Sequence, residues 1–182
     1  PDKRHLNQFF HCEAEIKGLL DQLILIVERY VKILSETLHL MSNILKRISL
    51  NYERTSAQLL EISRLKKFPE ITFDEAFNAL VATENRKYFK ITKYGRNITT
   101  SGEIKLAEIF NFHTPFWVRN FDRDIVPFYQ KPDPKNLNAV INADLIFPPL
   151  VKDAFGGEIV GCGQRQDKFQ ELVESLDRQK IS

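Results

Sequence analysis

Cysteine is scarce in this 182-residue chain. Cys12 and Cys162 stand near opposite ends with no CxxC spacing, which excludes a zinc-knuckle site and a disulfide framework and makes a reducing, cytoplasmic compartment the expectation. Long apolar runs are lacking as well. The longest, Leu23 to Val27, falls far short of the roughly 20 residues that a membrane-spanning helix needs. No basic stretch followed by an apolar one opens the chain, so no secretory signal is read. Charge of one sign is also missing: 26 Lys and Arg against 24 Asp and Glu leave a formal net charge of +2, too small to mark a nucleic-acid surface by itself. There is no GxGxxG or P-loop pattern, no internal repeat and no low-complexity segment. The first residue is Pro rather than Met, and the expectation drawn from it is a fragment or processed piece.

What is present suits one soluble domain. Hydrophobic residues make up 43% of the chain, with 14 Phe and five Tyr as bulky packing groups, enough to bury a core at this length. Residues 4–12 have strand character. From 13 to 48, apolar residues recur at steps of three and four through Ile16, Leu19, Leu20, Leu23, Val27, Tyr30, Val31 and Leu34, predicting a long core-facing helix or two helices broken near 35–39. A further helical piece covers 51–67. Thr72-Phe-Asp-Glu75 has the form of a capping box and predicts a helix over 73–83. Thr100-Ser-Gly-Glu103 repeats the signature ahead of 104–110. Strands are read at 115–119, 125–129, 140–147 and 156–163, with a breaker-rich turn at 131–136, and a last helix at 167–179. Helices followed by an antiparallel run of strands point to an α+β fold rather than alternating βαβ units.

Three segments carry residue types suited to chemistry. Along residues 4–15 an extended chain places His5, Asn7, Phe9, His11, Glu13 and Glu15 on one face. Cations that meet phosphate, an aromatic that stacks on a base, and acids that hold an ammonium have this look; so does an amphipathic strand with a solvated face. Gly156-Gly-Glu158-Ile-Val-Gly161-Cys-Gly163-Gln-Arg165 lets backbone approach a ligand closely and offers a carboxylate for a metal ion and a guanidinium for a carboxylate. Glu158 and Arg165 are seven apart, which in a regular strand puts them on opposite faces unless a bulge intervenes. Pro127-Phe-Tyr129 and Asp144 read, on residue types alone, as strand aromatics and a strand-end acid.

Taken in order, these words resemble the aspartyl- and asparaginyl-tRNA synthetases. Arg4-His5-Leu6-Asn7-Gln8-Phe9 with Glu13-Ala-Glu15 is similar to the second half of that family's motif 2. Asp122-Arg-Asp-Ile-Val-Pro-Phe-Tyr129 resembles its strand ending in PFY, Asp144-Leu-Ile-Phe its FDL strand, and Gly157-Glu-Ile-Val-Gly-Cys-Gly-Gln-Arg165 its GEIIGGSQR segment. The resemblance runs from about residue 4 to residue 175, and implies a partial class II synthetase core, mainly antiparallel sheet flanked by helices. It makes 1–182 a single partial catalytic domain, with motif 1, the first half of motif 2 and motif 3 outside it, and inactive alone.

The resemblance also implies roles. Arg4, His5, Leu6 and Phe9 belong to the ATP-binding stretch, the cations at the phosphates and the Phe9 ring on the adenine. Glu13 anchors the substrate ammonium. Tyr129, Gly161 and Gly163 line the amino-acid pocket. Asp144 and Glu158 hold Mg2+ on the ATP phosphates, and Arg165, the residue closest to the catalytic event, grips the side-chain end of aspartate or asparagine. Position 161 is Gly where many aspartate enzymes carry a metal-binding Ser. The implied activity is ATP-dependent formation of an aminoacyl-adenylate and transfer to tRNA, by a homodimer that does not involve a membrane. Two alternatives stand beside it: a tRNA-independent asparagine synthetase that uses ammonia, and a non-catalytic paralogue.

Overall fold

The computed structural model describes residues 8–152 and 154–181. Three helices come first: α1 (Leu20–Leu40), α2 (Ser42–Ile48) and α3 (Tyr52–Arg64). Strand β1 (Glu70–Thr72) leads into α4 (Phe73–Val81), the hairpin β2 (Phe89–Thr92) and β3 (Gly95–Ile98), and α5 (Thr100–Ile109). Then follow β4 (Phe116–Arg119), a 3-10 turn at Arg123–Ile125, β5 (Pro132–Asp133), β6 (Asn136–Val140), β7 (Asn142–Phe147), β8 (Gly157–Gly163) and α6 (Phe169–Gln179). The main sheet has the order β1-β4-β7-β8. Only the β1–β4 pairing is parallel; β7 runs antiparallel to both β4 and β8. The α+β architecture expected from the sequence is the one observed.

Alternation along the strands divides the core into two layers. Phe116, Val118 and Ile146 face the front with Phe73, Phe77 and Leu80 of α4 and Leu106 of α5. Trp117, Ala143 and Leu145 face the back, against Leu20, Ile24 and Val31 of α1 and Ile62 of α3. Burying each such side chain contributes about 1.5–3 kcal/mol, so both faces of the sheet are committed to packing wherever helices cover them.

The back layer contains a charge. Glu28 of α1 is 2% exposed. Its Oε1 accepts from the backbone N–H of Phe68 at 3.2 Å and from Trp117 Nε1 at 3.2 Å, and its Oε2 pairs with Lys32 Nζ at 3.1 Å. Lys32 also donates to the Lys66 carbonyl and lies 5.1 Å from the centre of the Phe68 ring. One carboxylate thus joins α1, the connection into β1, and β4. The buried line of α1 runs through Leu20, Ile24, Glu28, Val31 and Ser35. It differs from the expected apolar stripe: Leu19, Tyr30 and Leu34 of that stripe are exposed.

Other expectations are corrected. Residues 8–12 form no strand, and the helix begins at Leu20 and breaks at Met41 rather than near 35–39. The second capping motif starts one residue early, with Thr99 Oγ1 accepting from the Gly102 N–H at 3.1 Å. Residues 125–129 are not a strand: the 3-10 turn and a turn at Pro127, where the Gln130 N–H donates to the Pro127 carbonyl, replace it. The 131–136 turn is the bend of the β5–β6 hairpin. The Thr72 capping box is present as expected, Thr72 Oγ1 accepting from the Glu75 N–H and the Glu75 carboxylate from the Thr72 N–H.

Glu28→Ala leaves the Trp117 and Phe68 donors and the Lys32 ammonium without their buried acceptor, and is expected to cost about 3–5 kcal/mol. Glu28→Gln, which keeps an acceptor oxygen, costs less. Urea unfolding followed by the fluorescence of Trp117, the only Trp in the chain, measures both; an Ala variant within about 1 kcal/mol of wild type contradicts the assignment.

Candidate active site

The site is built on the uncovered part of the front face, where β7 and β8 meet. In the β7–β8 ladder Asp144 lies opposite Gly161 and Leu145 opposite Val160, but Ile146 lies opposite Glu158. Ile159 is the extra residue of a bulge. Val160 and Cys162 therefore point to the back layer. Glu158 is brought back into phase with Gly161 and Gly163, on the face of Asp144. The seven-residue spacing that separated Glu158 from Arg165 in a regular strand is thereby corrected.

Gly161 is what lets the two acids approach each other. A Cβ there would lie 3.0 Å from Glu158 Oε1 and 3.5 Å from Asp144 Oδ1. A third acid joins them from α5: Glu103 Oε2 accepts the backbone N–H of Glu158 at 3.1 Å. All three border a cavity of about 160 Å3, floored by Val118 and Ile146 and walled by Asn97 of β3 and Phe121. Burial, reinforced by the charges of Glu158 and Glu103, pushes the Asp144 carboxyl well above the ordinary carboxylate range. Among the described residues, no cluster of three His, Cys, Asp or Glu has donors close enough to hold a metal ion unaided.

Arg165 follows the end of β8. Residues 129–131 pair with 164–166: the Gln166 N–H donates to the Tyr129 carbonyl at 2.9 Å and the Lys131 N–H to the Gln164 carbonyl at 2.7 Å. This backbone pairing lays the Arg165 guanidinium over the Tyr129 ring, 4.9 Å from its centre, a cation–π arrangement. Glu15 reaches in from the N-terminal segment and pairs with Arg165 Nη2 at 2.5 Å. Behind this pair, Gln166 Nε2 donates to the Phe128 carbonyl and to Ser175 Oγ of α6.

The remaining expected site residues are placed less centrally. Phe9 is 70% exposed, edge-on to the His11 ring at 6.5 Å, and Glu13 is exposed beside His11 Nδ1 at 3.6 Å. Arg4, His5 and Leu6 lie outside the described residues. Gly163 sits tightly against Gln130 and Asn142. Burial, with the Asp144 charge, pushes the Cys162 thiol up to about 12, and its S–H donates to the Ala143 carbonyl. The sequence alone gives no role to Glu15 or Glu103. Glu15 stood in the expected row of alternating polar residues, whereas Glu103 looked only like the end of a capping motif.

Chemically, the strand offers hard anionic oxygens at one end and, beyond Gly161 and Gly163, a guanidinium over an aromatic ring with an acceptor carboxylate beside it. Oxygens of that kind suit a divalent cation on phosphates, and a fixed guanidinium suits a planar carboxylate or carboxamide.

Comparison with known proteins identifies the family of the chain. A family model described as tRNA synthetases class II (D, K and N) matches residues 1–182, and the chain belongs to that family. The asparagine--tRNA ligase of Thermococcus kodakarensis is 31% identical over 176 residues, 96% of this chain and 37% of the relative. That of Desulforamulus reducens is 28% identical over 181 residues, 98% of this chain and 38% of the relative. The chain thus spans a little over a third of the length of these curated relatives. In fold, it is similar to the asparaginyl-tRNA synthetase from Pyrococcus horikoshii complexed with asparaginyl-adenylate, with a TM-score of 0.72 at 23% identity over 91% of this chain and 34% of that one. The aspartyl tRNA synthetase from Entamoeba histolytica follows with a TM-score of 0.61 at 22% identity, over 92% and 32%. Among the described residues no helix is long and apolar enough to cross a membrane.

The raised Asp144 carboxyl gives a signed pH prediction. Its native pKa exceeds the unfolded one, so the folded state holds that proton more tightly, and stability falls as pH rises from the ordinary carboxylate range through the native midpoint. Asp144→Asn removes the effect, and the variant gains stability relative to wild type from acid to neutral pH. Urea midpoints of the two proteins across that range measure the gain; a constant difference contradicts the prediction.

Proposed function

We propose that this chain is the phosphate-facing and side-chain-facing part of a synthetase that activates asparagine with ATP and passes the asparaginyl group to tRNA. The observation that carries the reading is the bulge in β8, which turns Glu158 to the face of Asp144, with the Arg165–Tyr129 pair beyond the end of the same strand. Activation joins the substrate carboxylate to the α-phosphorus of ATP and expels pyrophosphate. The step needs positioning and neutralisation of phosphate charge rather than a protein nucleophile, and no such nucleophile is required of this site.

Asp144 and Glu158 would hold Mg2+, which supplies charge neutralisation at the phosphates when bound. The residues fit the ion: two carboxylates converge at Gly161, burial first and the like charges of Glu158 and Glu103 second disfavour ionisation of Asp144, and Mg2+ takes one or two carboxylates with the rest of its ligands from water and phosphate. The exposed Phe9 ring suits stacking on adenine, with Arg4, His5 and Leu6 in the same ATP-binding stretch. Glu13 would meet the substrate ammonium, and the backbone at Gly161 and Gly163 would border the amino acid.

Asparagine is favoured over aspartate by the pairing of Glu15 with Arg165. A donor beside an acceptor complements a carboxamide, whose C=O accepts from Arg165 and whose NH2 donates to Glu15. An aspartate side chain would instead meet the Glu15 charge. The relatives named as asparagine--tRNA ligases support the same choice. A homodimer, a cytoplasmic setting and tRNA as acceptor belong to this reading through the family resemblance.

ATP–pyrophosphate exchange by the whole protein that carries this chain, run across amino acids, tests the proposal. Exchange with asparagine is expected, and Arg165→Ala lowers it by roughly 100-fold, the scale of losing charge-assisted hydrogen bonds. Exchange with neither asparagine nor aspartate, or an unaffected Arg165→Ala, overturns it. Adding ammonia in place of tRNA distinguishes a tRNA-independent synthetase.

A further inference from the structure

Glu158 owes its place to an irregular piece of backbone. The bulge at Ile159 lies on β8, an edge strand of the described sheet, and the residue beside it is the one that must face Asp144. A bulge at an edge has fewer neighbours to hold it than a regular internal ladder. Among the described residues, a contact that reaches it from outside the sheet is the Glu103 carboxylate, Oε2 to the Glu158 N–H at 3.1 Å.

Glu103 is itself delivered by a tightly fixed helix start. Thr99 caps α5 through the Gly102 N–H. The Thr99 backbone N–H donates to the Tyr88 carbonyl at 3.1 Å and its hydroxyl to the Lys87 carbonyl at 2.7 Å. Gly102 presses so closely on Tyr88 that a Cβ there would lie 2.1 Å from its carbonyl oxygen. The β2–β3 hairpin is held in turn by Arg96, whose guanidinium and backbone N–H both bond to Asp122. The first turn of α5 therefore has little freedom, and the half-buried Glu103 side chain extends from it to the bulge.

We propose that Glu103 is a positioning residue of the adenylation site, anchoring the backbone at the β8 bulge so that the Glu158 carboxylate stays on the face of Asp144. The inference rests on the asparagine-activating reading above. It requires a hydrogen-bond acceptor at the full reach of the Glu103 side chain, and does not require its charge. Glu103→Gln keeps the reach and an acceptor oxygen and loses the charge. Glu103→Asp keeps the charge and withdraws the acceptor by one methylene.

In asparagine-dependent exchange by the whole protein, Glu103→Gln is expected to keep kcat within about tenfold of wild type and Glu103→Asp to lose about 100-fold, the scale of a misplaced catalytic group, with KM for asparagine within about threefold in both. Amide hydrogen exchange at Glu158 should accelerate in Glu103→Asp and not in Glu103→Gln, while the Trp117 amide stays protected in both. Equal kcat in all three proteins, an Asp variant more active than the Gln variant, or unchanged protection at Glu158 in Glu103→Asp overturns the proposal. A wild-type protein without asparagine-dependent exchange refutes the functional reading instead, and the Glu158 protection measurement still tests the anchor.

Discussion

The alternation of side chains along β4, β7 and β8 is the constraint on which both core and site depend. Every second residue is given to the helices behind the sheet and every other one to the front, where α4 and α5 cover only part of the surface. Trp117, Leu145 and Val160 go to the back; Val118, Asp144 and Gly161 go to the front. A strand that kept strict phase would send Glu158 to the wrong side. Ile159 is absorbed as a bulge, so one irregular residue restores the phase and turns the acid at the start of β8 to the side of Asp144 and Gly161.

The back layer fixes the front one. Glu28 holds α1, the entry to β1 and Trp117 through one buried carboxylate, and Trp117 is in register with Leu145, the neighbour of Asp144. A buried charge is weak evidence of stability, because its desolvation offsets much of what its partners return. Its value here is specificity: three elements must arrive together for its bonds to be made, and that arrangement sets the register from which the site acids project.

The sequence shows its local features well and its tertiary ones poorly. The Thr72 capping box, the strand carrying Asp144 and the glycine-rich strand are contiguous words, and they appear as expected. The apolar stripe through Leu19, Tyr30 and Leu34 is the stronger pattern in α1, whereas the line actually buried includes Ser35 and Glu28, which bonds to Phe68 and Trp117, both remote in sequence. Ile125 and Val126 favour a strand by propensity, but the turn geometry beginning at Asp122 prevails. The spacing of Glu158 and Arg165 raised the question of a bulge without deciding it. Glu15 and Glu103 became visible as parts of the site only when the fold brought Arg165 to one and the β8 backbone to the other.

In the proposed site, selectivity falls to Arg165, which lies over the Tyr129 ring with the Glu15 carboxylate at its guanidinium. Non-hydrolysable sulfamoyl analogues of asparaginyl- and aspartyl-adenylate differ only in the group presented to that pair. Calorimetric titration of both into the whole protein tests the account most directly. It predicts the asparaginyl analogue to bind at least about tenfold more tightly, a difference of roughly 1.4 kcal/mol. Equal affinities, or tighter binding of the aspartyl analogue, would contradict it.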